Sequence, residues 1–515
     1  MMSDEALQSR MLAPEATDQW LWIVVVGAFG SFLAAFGIGA NDVANAFATS
    51  VGARAVTLKQ AIVLAGIFEF LGALLLGTHV TKAIRENIVN VECFQDKPGI
   101  LMYGMMCVVY TTGVWLLLAS YLELPVSTTH STIGAIIGMT VAYAGSGCVV
   151  WYEESDIFPY SKGVAAIAVS WVLSPILSGV TSFLVFLTVR AFVLRSPNAF
   201  SRSFWVFPVL VMVTIAVNVF VFVYKGAKSL NLDETSVLTS LGWGLGLGGG
   251  VALVLVPTAI PALRRRVLKI YGDGTRKVLP AGNIGACGPE ELEGGLSRSG
   301  SRVGSFINKH LERDVHAYLD TYEEVTTIHS HAEQFDPRAE EVFKYVQVMT
   351  AITDAFAHGA NDVANAMGPF EIICSVYIDG EIRTDRDLGT PGYLTLALGG
   401  LGIVAGLALY GHKIITAIGV KIAKITPSRG FSIEIGAALV MITGTRLEVP
   451  LSSTHCQVGA TSGVALLEGL DGLNTRVVLR IIAGWAVTTV ICGMCCALLF
   501  VQGAYAPFVF DTTEE

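Results

Sequence analysis

Gly39-Ala40-Asn41-Asp42-Val43-Ala44-Asn45-Ala46 occurs a second time, unchanged, as Gly359-Ala360-Asn361-Asp362-Val363-Ala364-Asn365-Ala366. Ala35-Phe36 and Ala355-Phe356 precede the two copies in the same register, so the offset is 320 residues (359 minus 39). A second motif follows each copy. Pro125-Val126-Ser127-Thr128-Thr129-His130 stands 88 residues on (Asn41 to Thr129), and Pro450-Leu451-Ser452-Ser453-Thr454-His455 stands 93 on (Asn361 to Thr454). Two motifs in one order at similar spacing identify an internal duplication. Both motifs are polar and lie in apolar surroundings, where an unpaired buried group costs several kcal/mol. A bound substrate that satisfies them is therefore expected.

The chain of 515 residues is 53% hydrophobic and only 15% charged, with a mean hydropathy of +0.61. That is too apolar for a soluble globular protein. Stretches long enough to span a bilayer run 20–48, 57–79, 101–121, 125–145, 161–189, 204–224, 236–262, 342–367, 393–419, 431–448, 450–469 and 477–503. The expectation is an all-α, multi-pass membrane protein with about twelve transmembrane segments, about seven in residues 20–263 and about five in 342–503. The first apolar stretch has no basic leader and carries the motif itself, so it reads as a retained span. The net charge of −9 says little, because local charge placement governs orientation. Arg54, Lys59, Arg190, Arg195, Arg202, Arg264–Arg266, Lys269, Lys421, Lys424 and Arg429 fall on one side, and Glu153, Glu154, Asp156, Asp379, Glu381, Asp385 and Asp387 on the other. Both termini, 1–19 and 504–515, are accordingly expected outside, with the polar segment 264–341 in the cytoplasm as a linker.

Seven spans, an odd number, separate the two motif copies. The halves then enter the membrane from opposite sides as inverted-topology repeats, an architecture of secondary transporters with broken helices and a midplane site. Ser297, Ser299, Ser301 and Ser305 beside Arg298 and Arg302 are weak candidates for phosphorylation in the linker. Of nine cysteines, Cys492, Cys495 and Cys496 read as packing residues, and Cys93 and Cys148 share the outer side, which leaves a disulfide open.

On a helix, Asn41, Asp42 and Asn45 cluster along one side. Gly37, Gly39 and Gly359 would let the helix open and expose carbonyls beside Asp42 with Asn45 and Asp362 with Asn365. Such hard-oxygen sets suit a small cation. A plain helix–helix hydrogen-bond cluster could explain one copy, but two intramembrane aspartates in matching places point to function. In the other motif the proline suits a first helical turn, and the next free N–H groups with three hydroxyls make an oxyanion cradle. Capping alone needs a single hydroxyl. His130 and His455 are expected to brace the helix starts.

The segments GANDVANAFATSVGARAVTLKQA (39–61), FAHGANDVANAMGP (356–369), PVSTTH and PLSSTH resemble the inorganic phosphate transporter family, over nearly the whole chain outside 264–341 and the termini. The resemblance implies twelve spans, and a phosphate site at the repeat interface formed by Asn41, Asp42, Ser127, Thr128, Thr129, Asn361, Asp362, Ser452, Ser453 and Thr454. It implies sodium sites beside it at Asp42, Asn45, Asp362 and Asn365. Glu69 and Glu434 match acidic positions that matter in the family and, with His130 and His455, are expected to be coupling or accessory residues. Met105 departs from the pattern, since some animal members have glutamate there. The function implied is a sodium-coupled, electrogenic phosphate symporter at the plasma membrane, two Na+ per H2PO4−; proton coupling and sulfate transport within the same family are the alternatives. Co-transported sodium is the sole cofactor-like partner expected, with inorganic phosphate and the lipid bilayer; a homodimer stays open and nucleic acid is not expected. A membrane enzyme using Asp42 and Asp362 is disfavoured, because no nucleophile and base accompany them.

Overall fold

The computed structural model describes residues 19–154, 160–224, 235–272, 316, 323–382, 390–446 and 451–505. Its helices are α1 (Leu21–Asn41), α2 (Val43–Gly52), α3 (Leu58–Asn87), α4 (Pro98–Tyr121), α5 (Thr128–Ala144), α6 (Gly163–Val189), α7 (Ala199–Val223), α8 (Val237–Tyr271), α9 (Glu323–His331), α10 (Pro337–Asp379), α11 (Thr390–Tyr410), α12 (His412–Gly419), α13 (Pro427–Arg446), α14 (Ser453–Ala465) and α15 (Thr475–Ala504). The strands β1 (Glu153–Glu154) and β2 (Ser161–Lys162) form a two-stranded antiparallel pair. Cys93 and Cys148 form a disulfide, which ties the connection after α3 to the one after α5.

Among the described residues, eight helical stretches are long and apolar enough to cross a membrane: Leu21–Gly52, Leu58–Leu75, Pro98–Tyr121, Gly163–Leu194, Ala199–Phe220, Val237–Tyr271, Gly392–Tyr410 and Thr475–Ala504. With this composition they make the chain an integral membrane protein. The expected spans at 125–145 and 450–469 fall on α5 and α14, which at 17 and 13 residues are short. Those at 342–367 and 431–448 fall on α10 and α13, where Asp354, His358, Asp362, Arg429 and Glu434 replace apolar residues. Helix α8 runs on to Tyr271 and α10 begins at Pro337. The serines at 297–305, Asp156, Asp385, Asp387, Pro450 and the termini 1–18 and 506–515 lie outside the described residues.

Packing follows the duplication. Helix α1, with the first motif copy, lies on α11, and α10, with the second, lies on α3. Likewise α1 packs on α4 as α10 packs on α13. The short helices are exchanged: α5 of the first half packs on α15 at the end of the second, and α14 packs on α6 of the first. Gly39 and Gly359 make the close approaches possible. A Cβ on Gly39 would lie 1.9 Å from the carbonyl oxygen of Ile403, and one on Gly359 2.2 Å from that of Glu69. Here the expectation of two opened helices is corrected. The first copy breaks only at Asp42, between α1 and α2, while α10 runs unbroken through Gly359–Ala366. Gly359 serves close packing and not unwinding. We expect Gly39→Ala and Gly359→Ala to forfeit folded, detergent-stable protein, because the clash is with backbone; recovery of monodisperse protein on size exclusion would contradict this packing.

At the end of the bundle where α6, α13 and α14 meet the segment before α10, the charged groups form a network. Arg190 donates to the Glu333 carboxylate and to Leu467 O (2.8 Å), and Arg195 donates to both Glu333 oxygens. These hydrogen bonds, Arg195 first, hold the Glu333 carboxyl below its usual range. Arg429 donates to Glu468 (2.6 Å) and to Glu333 O (2.8 Å).

Candidate functional site

The starts of α5 and α14 converge on the two conserved-in-duplicate aspartates. Ser127 and Ser452 are the caps of these helices, accepting from the N–H of His130 and of His455 at 3.3 Å each. That corrects the placement of the prolines in a first turn: Pro125 precedes the cap by two residues. Capping therefore uses one hydroxyl per motif, and the others are free to face the site. Thr128 donates its hydroxyl and its N–H (3.1 Å) to Asp42 Oδ2. Ser453, at the matching position, donates to Asp362 Oδ2 at 2.8 Å. The remaining threonines reach across the halves. Thr454 donates to Asp42 Oδ1 and receives the Asn45 amide at 3.1 Å, and Thr129 receives the Asn365 amide at 3.5 Å.

The two aspartates lie close together. Asp42, Asp362 and His358 offer ligand atoms that all lie within 4.8 Å of one another, and all three are buried. Asn45 donates to Asp42 Oδ1 at 3.2 Å, which leaves its amide oxygen buried without a partner; the Asn365 amide oxygen is in the same condition. Two orphaned oxygens beside two carboxylates fit a hard cation. Asn361 donates to Asp362 Oδ1 at 2.8 Å. Asn41 is placed differently: its amide binds Ser120 (3.1 Å) and Leu124 O (3.0 Å) and accepts from Val126 N (2.9 Å). It pins the chain that leads into α5.

Reasoning from sequence left His358 unassigned. It stands one turn before Asp362, so its ring had to share that face. Its Nδ1 lies 3.0 Å from Glu69 Oε2, and its Nε2 lies 2.6 Å from Asp362 Oδ2, near enough for an ion pair but not aligned as a hydrogen bond. Ile38 occupies the matching place in the first half. Glu69 thus joins the aspartate cluster through His358. Glu434 stands in a second polar pocket, accepting from Thr49 (2.5 Å), Ser50 (3.0 Å), Gln347 (3.4 Å) and Thr350. Those four partners carry no sequence signal of their own.

Known proteins resemble this chain over most of its length. A profile of the phosphate transporter family matches residues 38–496. The chain belongs to the phosphate transporter family. Within that family it is 34% identical over 460 residues to the inorganic phosphate transporter 2-1, chloroplastic, of Arabidopsis thaliana, covering 89% of this chain and 68% of that protein. It is 29% identical to a phosphate-repressible phosphate permease of Neurospora crassa, covering 92% and 96%. A solved structure described as the sodium-dependent phosphate transporter superposes with a TM-score of 0.71 at 29% identity, covering 94% of this chain and 99% of that one. Both motif pairs of this phosphate transporter family member lie inside the matched region.

Proposed function

We propose that the protein is a secondary active symporter that carries inorganic phosphate with sodium by alternating access. The observation that supports this most is the meeting of two helix starts, one from each half, at two carboxylates with orphaned amide oxygens beside them. Hydroxyls and helix N-termini suit a tetrahedral oxyanion. Asp42 and Asp362 next to an anion concentrate negative charge that only cations can offset in a low-dielectric interior. Two sodium ions per H2PO4− would move one net positive charge each cycle, so uptake should be electrogenic. Replacing external sodium by choline at constant pH should abolish labelled phosphate uptake into proteoliposomes and the phosphate-evoked current. Uptake that continues in choline would exclude sodium.

One observation favours a second reading, with protons as the coupled ion: the His358 ring between Glu69 and Asp362 is a ready proton carrier. Proton-coupled uptake would survive in choline and rise as external pH falls.

The exchanged packing of α5 with α15 and α14 with α6 supports two repeats of inverted topology, with α5, α10, α13 and α14 completing twelve spans. The disulfide fits an outer, oxidising location for its two loops, hence outer termini and a plasma-membrane protein.

The carboxylates also bear on selectivity. Phosphate keeps a proton to donate to Asp42 or Asp362, as does arsenate, whereas sulfate presents only bare oxygens to them. Arsenate should compete strongly with phosphate uptake and sulfate weakly. Equal competition would mean that the aspartates do not read the substrate proton.

A further inference from the structure

Directly behind the two helix starts, four aromatic rings from four helices form one column. Trp171 of α6 meets His130 of α5 edge-on at 4.0 Å between centroids. His130 meets His455 of α14 at 4.5 Å, and His455 stacks on Trp485 of α15 at 3.7 Å. The column crosses between the halves at its middle: Trp171 and His130 come from the first, His455 and Trp485 from the second. Two of the rings are also fastened to backbone. His455 Nδ1 pairs with Trp171 O at 3.1 Å, and the Trp485 indole N–H donates to Pro125 O at 3.2 Å, three residues before the start of α5. Each histidine directly follows a threonine that reaches the site, Thr129 or Thr454.

We propose that His130 and His455 are positioning residues that join the starts of α5 and α14 into one body, so that the two halves present their hydroxyls to the anion together. This rests on the reading of those helix starts as a phosphate site. The coupling comes from the ring faces. His130 and His455 are both buried, and His130 Nδ1 has no hydrogen-bond partner, so a ring without nitrogens can take its place.

Aromatic contacts of this kind are worth enough to change an affinity by about tenfold. Equilibrium binding of labelled phosphate to the purified full chain in sodium, for wild type, His130→Ala, His455→Ala and the double variant, measures the coupling. Each single change should raise Kd by about tenfold, and the pair should raise it no further, because either one already uncouples the helix starts. His130→Phe should recover most of the affinity and His455→Phe a smaller part, because it loses the bond to Trp171 O, while His455→Asn, which keeps a polar group near Nδ1 but no ring, should recover none. In uptake assays the alanine variants should raise KM for phosphate more than they lower the maximal rate. A double variant about a hundredfold weaker, or phenylalanine variants as weak as alanine ones, would overturn the brace. Thr128→Ala and Ser453→Ala test the phosphate site itself. Unchanged Kd in both would sink that reading, whereas weakened binding with an additive histidine cycle sinks the brace alone.

Discussion

Asp42→Asn and Asp362→Asn should each reduce sodium-driven phosphate uptake to background while leaving the protein expressed and monodisperse. The amide has the size of the carboxylate, so packing is kept. Two things are lost. One is a full negative charge among ligand atoms that lie within 4.8 Å of one another, where a cation must be held. The other is an acceptor: Asp42 takes hydrogen bonds from both Thr128 and Thr454, and an amide NH2 turned to either hydroxyl would face a donor. The hydroxyls themselves should matter less. Thr129→Ala or Thr454→Ala should weaken phosphate binding by about 1–3 kcal/mol, as loss of a buried donor does. Ser127→Ala and Ser452→Ala should act through the caps, at about 0.5–2 kcal/mol of stability. Labelled uptake with a parallel size-exclusion profile decides the matter; normal transport by either aspartate variant would end the site assignment.

A large effect on stability should also come from Arg429. It is 2% exposed, donates to Glu468, Glu333 O and the Thr426 hydroxyl (3.3 Å), and its guanidinium lies 5.4 and 5.3 Å from the rings of Phe186 and Phe335. Arg429→Met leaves the Glu468 carboxylate buried, with Arg190 at 3.9 Å as the next cation. Breaking such a pair costs about 3–5 kcal/mol. Arg429→Met,Glu468→Leu, which removes both charges, should recover much of that loss. The check is the melting temperature in detergent and in lipid. If Arg429→Met melts with wild type, the network is ornamental.

Much of the site was legible because duplication marks it. Asp42 and Asp362, and the hydroxyls of Ser127–Thr129 and Ser452–Thr454, stand out as polar repeats in apolar sequence, and chemistry limits what they bind. What stayed hidden depends on pairs far apart in the chain. Glu434 finds Thr49 and Ser50 across more than 380 residues, and only the packing of α13 against α2 and α10 brings them together. His130 and His455 were expected to brace helix starts, but nothing local tells that each reaches its counterpart in the other half. The spacing did suggest two opened helices. Helix α10 runs unbroken although the first copy breaks at Asp42, and since a backbone carbonyl lies against both Gly39 and Gly359, nothing within the repeated residues marks the difference. His358 was within reach, four residues before Asp362, and was passed over because Ile38 in the first copy gives it no echo.

The exchange of α5 and α14 has an implication for how such a chain arose and assembles. Each short motif helix is covered in part by its own half, α5 by α4 and α14 by α13, and in larger part by a long helix of the other, α15 for α5 and α6 for α14. An unduplicated unit would leave that larger part of the helix uncovered unless a second copy of itself supplied the partner helix. For the present chain, α5 is not fully covered until α15, more than 300 residues further along, has closed over it.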